Sequence, residues 1–359
     1  MARTVLVAAG GTGGHLFPGI AVADELVRRD VSTRVVFAGT AKGLESRLVP
    51  RTGHALERLP ILPLNGVGVP RMLKGLLVLP WGLVSSALLV LRLRPAAVLG
   101  IGGYAGGPVT LLAALLGVRA VILEPNAKPG FTNRVLRPFV HAAACAYEEA
   151  RQEFGAKGVL TGNPVRGGFA SLPRKEHREP LTLLAFGGSQ GSRVLNRALV
   201  AAMPRLPREE RLRIVHQTGE AMRDEVEAAY RAAGRPAEVV AFLDDMETRF
   251  AAADLVLSRS GATTCAELTV AGKASVLVPF ALAAEGHQLQ NARALEAAGA
   301  AVVLEEKGLT GESLARTVLG LVDAPGEIAA MEEAARGMGR PDAAARVADL
   351  LLKAEATRA

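Results

Sequence analysis

Two glycine-rich turns carry the residues best suited to chemistry. Gly10-Gly11-Thr12-Gly13-Gly14-His15 and Gly187-Gly188-Ser189-Gln190-Gly191 each follow a short apolar run and precede a helical pattern. Glycine lets the backbone approach a phosphate closely, and the start of a helix offers N–H groups and a partial positive charge. Ser189 adds a hydroxyl donor to the second turn, which is not a Walker A loop because no Gly-Lys-Ser/Thr follows. The first turn ends in His15, and an imidazole with an ordinary pKa of about 6.5 suits general-base work. A third cluster, Gly100–Pro108 (GIGGYAGGP), opens as Gly100-x-Gly102-x-x-Ala105, with Glu124 following later. That opening fits a dinucleotide-binding fingerprint and hence a nicotinamide oxidoreductase. Pro108 counts against it, by setting the expected helix start too late for the usual tight turn.

Two further stretches hold polar groups at expected strand ends. After Ser260-Gly261, Thr263 or Thr264 is expected to cap a helix with Glu267 near its first turn. A carboxylate there can accept both hydroxyls of a ribose, or simply complement the helix dipole. His287, Gln288 and Asn291 open another helix after Pro279-Phe280 and can contact a sugar.

Elements that position these residues read as parallel βαβ units. Buried strands are expected at Val5–Ala8, Val35–Ala38, Ala97–Leu99, Ala120–Leu123 and Ala142–Ala146, with the first helix starting near Pro18. A second series runs through Leu181–Phe186, Arg213–His216, Val239–Phe242, Leu255–Leu257, Ser275–Val278 and Ala301–Leu304. Both series start with a strand, a glycine turn containing a hydroxyl residue, and a helix, so two similar α/β domains are expected. The hinge falls near Gly162-Asn163-Pro164, and polar, proline-bounded Ser171–Pro180 reads as a surface connection. The last helix, about Ala343–Lys353, can pack on either half.

The chain has 359 residues, 50% of them hydrophobic, enough for two cores. Its formal net charge of +7 favours anionic partners. Aromatic residues are 4%, against a base-stacking platform, and no Lys/Arg-rich tract or nucleic-acid motif is present, so no nucleic-acid partner is expected. Cys145 and Cys265 have no metal-binding spacing and read as reduced cytoplasmic thiols; the apolar run before Gly10 is too short for a signal peptide. Gly75–Leu91 is uncharged and strongly apolar, interrupted by Pro80 and Gly82 and flanked by Arg71, Lys74, Arg92 and Arg94. It fits a core helix preceded by a bend, an apolar patch with a basic rim resting on a membrane, or a short span.

GGTGGHLFPGIAVA (10–23), GIGGYAGGP (100–108), TGNPVR (161–166), FGGSQGSRVLN (186–196), FLDDM (242–246), SRSGATTCAEL (258–268) and HQLQNA (287–292) occur in this order. Together they resemble the MurG family, N-acetylglucosaminyltransferases of bacterial peptidoglycan synthesis in glycosyltransferase family 28, over nearly the whole chain. The resemblance implies a GT-B fold: α/β, two Rossmann-like parallel-sheet domains separated by a cleft. Residues 1–162 with 340–359 would form the acceptor and membrane-facing domain, and 163–339 the UDP-GlcNAc-binding domain. It implies inverting transfer of GlcNAc from UDP-GlcNAc to the C4 hydroxyl of the muramoyl sugar of lipid I, giving lipid II, with no metal and no cofactor. No Asp-x-Asp motif is present.

By position, the resemblance makes His15 the candidate base, with Glu124 a second catalytic candidate, and sets Thr12, Gly13, Gly14, Gly103, Tyr104 and Asn126 near the acceptor. It gives the UDP diphosphate to Arg166, Gly188, Ser189, Gln190 and Gly191, uracil to the Phe242–Leu243 backbone, and the ribose to Glu267. His287, Gln288 and Asn291 go to the GlcNAc hydroxyls. One departure stands out: the family commonly shows His-Glu-Gln-Asn after the fourth N-terminal strand, where this chain has Leu123-Glu124-Pro125-Asn126. That shifts catalytic weight to His15 and Glu124. A lipid-linked acceptor also implies peripheral binding to anionic phospholipid on the cytoplasmic face of the inner membrane, and other cell-wall synthesis proteins as partners. A non-catalytic UDP-sugar-binding module that recruits such proteins is a further reading.

Overall fold

The structure, a computed structural model, describes residues 3–10, 13–41, 43, 45–62, 69–188 and 190–353. Thr12 and Ser189 therefore lie outside the described residues. The chain divides into two units, Met1–Arg166 with Arg340–Ala359, and Gly167–Gly339.

The first unit holds a sheet of seven strands: β1 (Thr4–Ala8), β2 (Arg34–Gly39), β3 (Ala55–Arg58), β4 (Ala97–Gly100), β5 (Arg119–Glu124), β6 (Ala142–Cys145) and β7 (Gly158–Leu160). Their order is β3-β2-β1-β4-β5-β6-β7, and every pairing is parallel. The second unit has β8 (Leu181–Phe186), β9 (Leu212–Gln217), β10 (Glu238–Val240), β11 (Leu255–Ser258), β12 (Ser275–Leu277) and β13 (Ala301–Val303). Their order, β10-β9-β8-β11-β12-β13, is again all parallel and repeats the Rossmann arrangement. Parallel strands covered by helices on both faces read as continuous apolar runs. In β1, Val5 and Val7 join one buried cluster while Leu6 and Ala8 join another on the opposite face.

Eleven of these thirteen strands coincide with expected apolar runs; β3 and β7, at the two edges of the first sheet, were not anticipated. The strand before Leu123-Glu124-Pro125-Asn126 is accordingly the fifth. Two helix starts also differ from expectation. The first helix is Gly13–Arg29, with Pro18 as its sixth residue, and the helix after β4 is Gly103–Leu115, with Pro108 as its sixth. A proline there forfeits one intrahelical hydrogen bond without ending the helix, because the adjoining turns still close. Pro108 thus does not delay the helix, which starts directly after Gly102.

Gly75–Leu91 lies inside one helix, Val69–Leu93, which runs through Pro80 with no break. Gly82 permits close approach of the preceding loop: an added Cβ would sit 3.0 Å from Ile61 and 3.2 Å from the Pro60 carbonyl. One face of this helix packs on the unit through Ser86, Leu89 and Val90. Leu73, Leu76, Leu77, Trp81, Val84, Leu88 and Leu91 recur at helical spacing and are all exposed. The segment Leu73–Leu93 is long and apolar enough to cross a membrane, yet only 22% of it is buried within the protein.

Ser171–Pro180 is more than a surface connection. Asp254, fully buried before β11, accepts hydrogen bonds from the Thr182 backbone N–H (2.7 Å) and from Lys175 Nζ (2.5 Å), and contacts His177 Nδ1 at 2.8 Å. A buried carboxylate needs such partners, and two of them come from this stretch. The last helix, Ala343–Leu352, belongs to the first unit. Val347, Ala348 and Leu351 share a core cluster with Val5, Leu16 and Leu26, and Arg29 pairs with Asp349 at 2.5 Å.

Candidate functional site

In each sheet the strand order reverses at one point, and α/β ligands bind at the carboxyl ends of the strands there. In the first unit that point lies between β1 and β4, so the chain after β1, described at Gly10 and again from Gly13, and the Gly100–Gly107 stretch after β4 leave neighbouring strands. His15 is the third residue of its helix and half-buried. Gly102 and Gly103 have φ of +76° and +71°, a conformation that only glycine adopts without strain. This turn passes next to the imidazole. An added Cβ would lie 3.8 Å from His15 Nε2 at Gly102, and 3.8 Å from Nδ1 at Gly103, where it would also press to 2.9 Å on the Gly10 carbonyl. Tyr104 follows as the second residue of the next helix.

Asn133 reaches the same place, its amide 3.6 Å from the Gly102 Cβ position. It donates to the Leu123 carbonyl and to Glu124 Oε2, both at 2.9 Å. Glu124 also accepts from the Gly130 N–H (2.9 Å), the Asn126 N–H (3.1 Å) and Asn126 Nδ2 (3.1 Å). Both carboxylate oxygens are thus engaged by N–H donors. Burial pushes this carboxyl above its ordinary range, against the pull of those four donors. Such an arrangement holds the 124–133 loop in place and leaves Glu124 poorly disposed to collect a substrate proton. Leu123 beside it is fully buried, in one core cluster with Leu16 and Ile101. Sequence reasoning also missed Glu45, a buried carboxylate that accepts from the Thr40 N–H (2.7 Å) and hydroxyl (2.9 Å) and lies against Gly10.

In the second unit the reversal lies between β8 and β11, where Phe186 pairs with Ser258. A cavity of about 450 Å³ opens there, lined by Gly187, Gly188, Gly191 and Ser192 of one turn, by Arg193 and Val194 of the helix it opens, and by Arg259, Gly261, Thr264, Phe280 and Gln288. The glycine turn closes on itself through Gly191 N–H to Gly188 O at 2.9 Å. Ser192 caps the helix Arg193–Ala202 by accepting from the Leu195 N–H. Arg259 donates to Ser192 Oγ (2.8 Å) and to the Val278 carbonyl (3.0 Å), pairs with Glu306 at 2.5 Å, and lies 5.4 Å from the Phe280 ring centroid. A guanidinium held beside a glycine turn at a helix start is a group that can meet an anion, though here it already pairs with Glu306. Arg259, Ser192 and Phe280 were not singled out from the sequence. Arg259 directly follows the β11 run, and that position at a strand's carboxyl end was the available signal.

Of the expected donor residues, Gly188, Gly191 and Gln288 line this cavity. Gln288 accepts from the Phe280 N–H (3.0 Å), its carbonyl accepts from the Ser260 hydroxyl (2.8 Å), and Asn291 Nδ2 donates to the Ser260 carbonyl (3.3 Å), so the His287 helix is tied to the β11 turn. Gly261, without a side-chain bond, is the N-cap of the helix Ala262–Ala271, in place of Thr263 or Thr264; Glu267 is its sixth residue and buried. Phe242 is exposed and Leu243 buried. Arg166 lies in the first unit, its guanidinium 5.3 Å from the Phe17 ring centroid.

Residues 5–145 match the N-terminal domain model of glycosyltransferase family 28, and residues 182–347 match its C-terminal domain model. A Myxococcus xanthus protein named UDP-N-acetylglucosamine–N-acetylmuramyl-(pentapeptide) pyrophosphoryl-undecaprenol N-acetylglucosamine transferase is 47% identical over 350 residues, 96% of this chain and 91% of that protein. An Anaeromyxobacter sp. (strain K) protein of the same name is 46% identical, covering 97% of this chain and 92% of its own length. The crystal structure of Acinetobacter baumannii MurG superposes with a TM-score of 0.81 at 31% identity, covering 98% of this chain and all of that one. The chain belongs to the MurG family. A Neisseria meningitidis UDP-GlcNAc 2-epimerase, at a TM-score of 0.67 and 11% identity, shares the fold alone. MurG-family membership removes the nicotinamide reading of Gly100–Ala105.

One consequence for this MurG-family chain is directly testable. Gly191 has φ +71°, and an added Cβ would fall 1.9 Å from the Thr218 carbonyl oxygen. Gly191→Ala is expected to weaken UDP-GlcNAc binding by at least about tenfold, since strain and overlap, at about 1–3 kcal/mol each, together exceed the roughly 1.4 kcal/mol of a tenfold change. Gly188→Ala, with positive φ but open space around it, should lose less. Titration calorimetry of both variants checks the order.

Proposed function

We propose that this protein transfers GlcNAc from UDP-GlcNAc to the C4 hydroxyl of the MurNAc-pentapeptide of lipid I, forming lipid II with inversion at the anomeric carbon. The observation that carries this reading is the pairing, in one MurG-family chain, of a histidine set against a glycine turn with a second glycine turn that lines a cavity with Arg259. The first unit takes the acceptor and the second holds the donor. His15 removes the proton from the acceptor O4 as that oxygen attacks the anomeric carbon. The bond to the UDP oxygen breaks, and the charge developing on the diphosphate is stabilised by the glycine-turn N–H groups and Arg259. Glu267 serves the ribose, and Gln288 and Asn291 the region of the sugar. Glu124 holds Asn126 and Asn133 beside the acceptor.

The acceptor is lipid-linked, so the protein docks on the cytoplasmic face of the inner membrane. The exposed apolar face of Val69–Leu93 is the docking surface, with Lys74, Arg92 and Arg94 exposed beside it to meet anionic headgroups. A spanning role would strip Leu89 and Val90 from the core they share with Leu6 and Val98, which favours a helix lying in the interface. Incubation with labelled UDP-GlcNAc and a soluble lipid I analogue tests the activity. Labelled disaccharide product is expected; none, with substrates shown competent in a control enzyme, overturns it.

A further inference from the structure

The donor turn rests on a second backbone segment, and that segment is held by a chain of buried polar side chains outside the cavity. Gly191 and Gly219 meet face to face: an added Cβ on Gly191 would overlap the Thr218 carbonyl, and one on Gly219 would lie 2.2 Å from the Gln190 carbonyl oxygen. The Thr218–Gly219 turn at the end of β9 therefore sets where the phosphate-binding turn sits. Thr218 O accepts a hydrogen bond from Asn196 Nδ2 at 2.9 Å, and Asn196 is in the first turn of the helix that the cavity uses.

An amide can present its N–H₂ to Thr218 in one orientation only, and the partner of its oxygen decides which. That partner is His216, whose Nε2 lies 3.1 Å from Asn196 Oδ1. A carbonyl oxygen only accepts, so Nε2 carries the proton. Nδ1 is then the acceptor, and Tyr230 Oη lies 3.3 Å away to donate to it. All three side chains are at most 2% exposed. We infer that His216, as its neutral Nε2–H tautomer, is a positioning residue for the donor site: it fixes the Asn196 amide, and through it the Thr218–Gly219 turn that carries the Gly187–Gly191 loop. This inference rests on reading that loop as the UDP-GlcNAc site. Burial holds the imidazole down to about 4, so it stays neutral at physiological pH, and pushes the Tyr230 phenol up, so it keeps its proton.

The test compares three variants of the full chain by calorimetric titration with UDP-GlcNAc and by kcat and KM for transfer. His216→Leu leaves the Asn196 oxygen unpaired and is expected to raise Kd and KM for UDP-GlcNAc about tenfold with kcat within about twofold. His216→Gln, whose amide N–H can still donate to Asn196, should recover affinity to within about threefold. Asn196→Asp keeps an acceptor toward His216 but loses the donor toward Thr218, so it should lose affinity like His216→Leu. It carries the test if His216→Leu does not fold. Wild-type affinity in folded His216→Leu or folded Asn196→Asp overturns the proposal, as does equal loss in His216→Leu and His216→Gln. Absence of saturable UDP-GlcNAc binding by the unaltered protein overturns the donor-site reading and this proposal with it.

Discussion

Replacing His15 with alanine is expected to lower the rate of GlcNAc transfer by about 10²- to 10⁴-fold, the usual worth of a positioned general base, while UDP-GlcNAc affinity stays near that of the unaltered protein. The separation follows from location. His15 sits on the Gly102–Gly103 turn of the first unit, whereas the cavity around Arg259 is built wholly from the second. Glu124 is the alternative base, and its geometry argues for a different phenotype. Its oxygens already accept four N–H donors, so Glu124→Gln would turn an amide N–H₂ toward donors and loosen the loop. That variant should lose thermal stability along with activity, whereas His15→Ala should melt like the unaltered protein. Steady-state kinetics, donor calorimetry and melting curves separate the two. Full turnover in His15→Ala would remove it from the base role.

The second large effect concerns the membrane. Leu77 and Trp81 are 81% and 64% exposed on the Val69–Leu93 helix. Burying side chains of this size in an apolar medium is worth roughly 1.5–3 kcal/mol each. The double variant Leu77→Glu, Trp81→Glu should therefore bind vesicles containing anionic phospholipid about 10²-fold more weakly or worse. Because neither side chain packs in the core, stability and transfer to a soluble acceptor analogue should survive. Cosedimentation with vesicles at several salt concentrations reads the result. Undiminished vesicle binding would sink the surface reading.

Legibility in the sequence followed burial. Strands such as β1, β5 and β8 lie inside their sheets, carry unbroken apolar runs, and were readable to within a residue or two. β3 contains half-exposed Leu56 and Glu57 and β7 begins at Gly158, so no apolar run announced them, whereas the edge strands β10 and β13 of the second sheet carry short apolar runs and were readable. Helix starts at Gly13 and Gly103 were hidden because proline marks first turns more often than sixth positions. Glycine turns and His15 stood out because their chemistry is local. Arg259, Ser192 and Phe280 did not, since three separate loops bring them together. His216 read only as the end of a strand; its bond to Asn196 spans twenty residues and exists only once β9 lies beside the helix.

Because the helix Ala343–Leu352 completes the first unit, the order in which this protein finishes folding differs from the order in which it is made. The second unit is continuous from Gly167 to Gly339 and has all its own core residues once that stretch leaves the ribosome. The first unit begins earlier but must wait: the layer of Val347, Ala348 and Leu351 that covers Val5, Leu16 and Leu26 is synthesised after everything else in its core. Throughout translation of the second unit, an apolar side of the earlier sheet is therefore left without its last helix. The first unit is thus the last to become whole, and a chain cut short before Ala343 would carry an intact second unit and an unfinished first one.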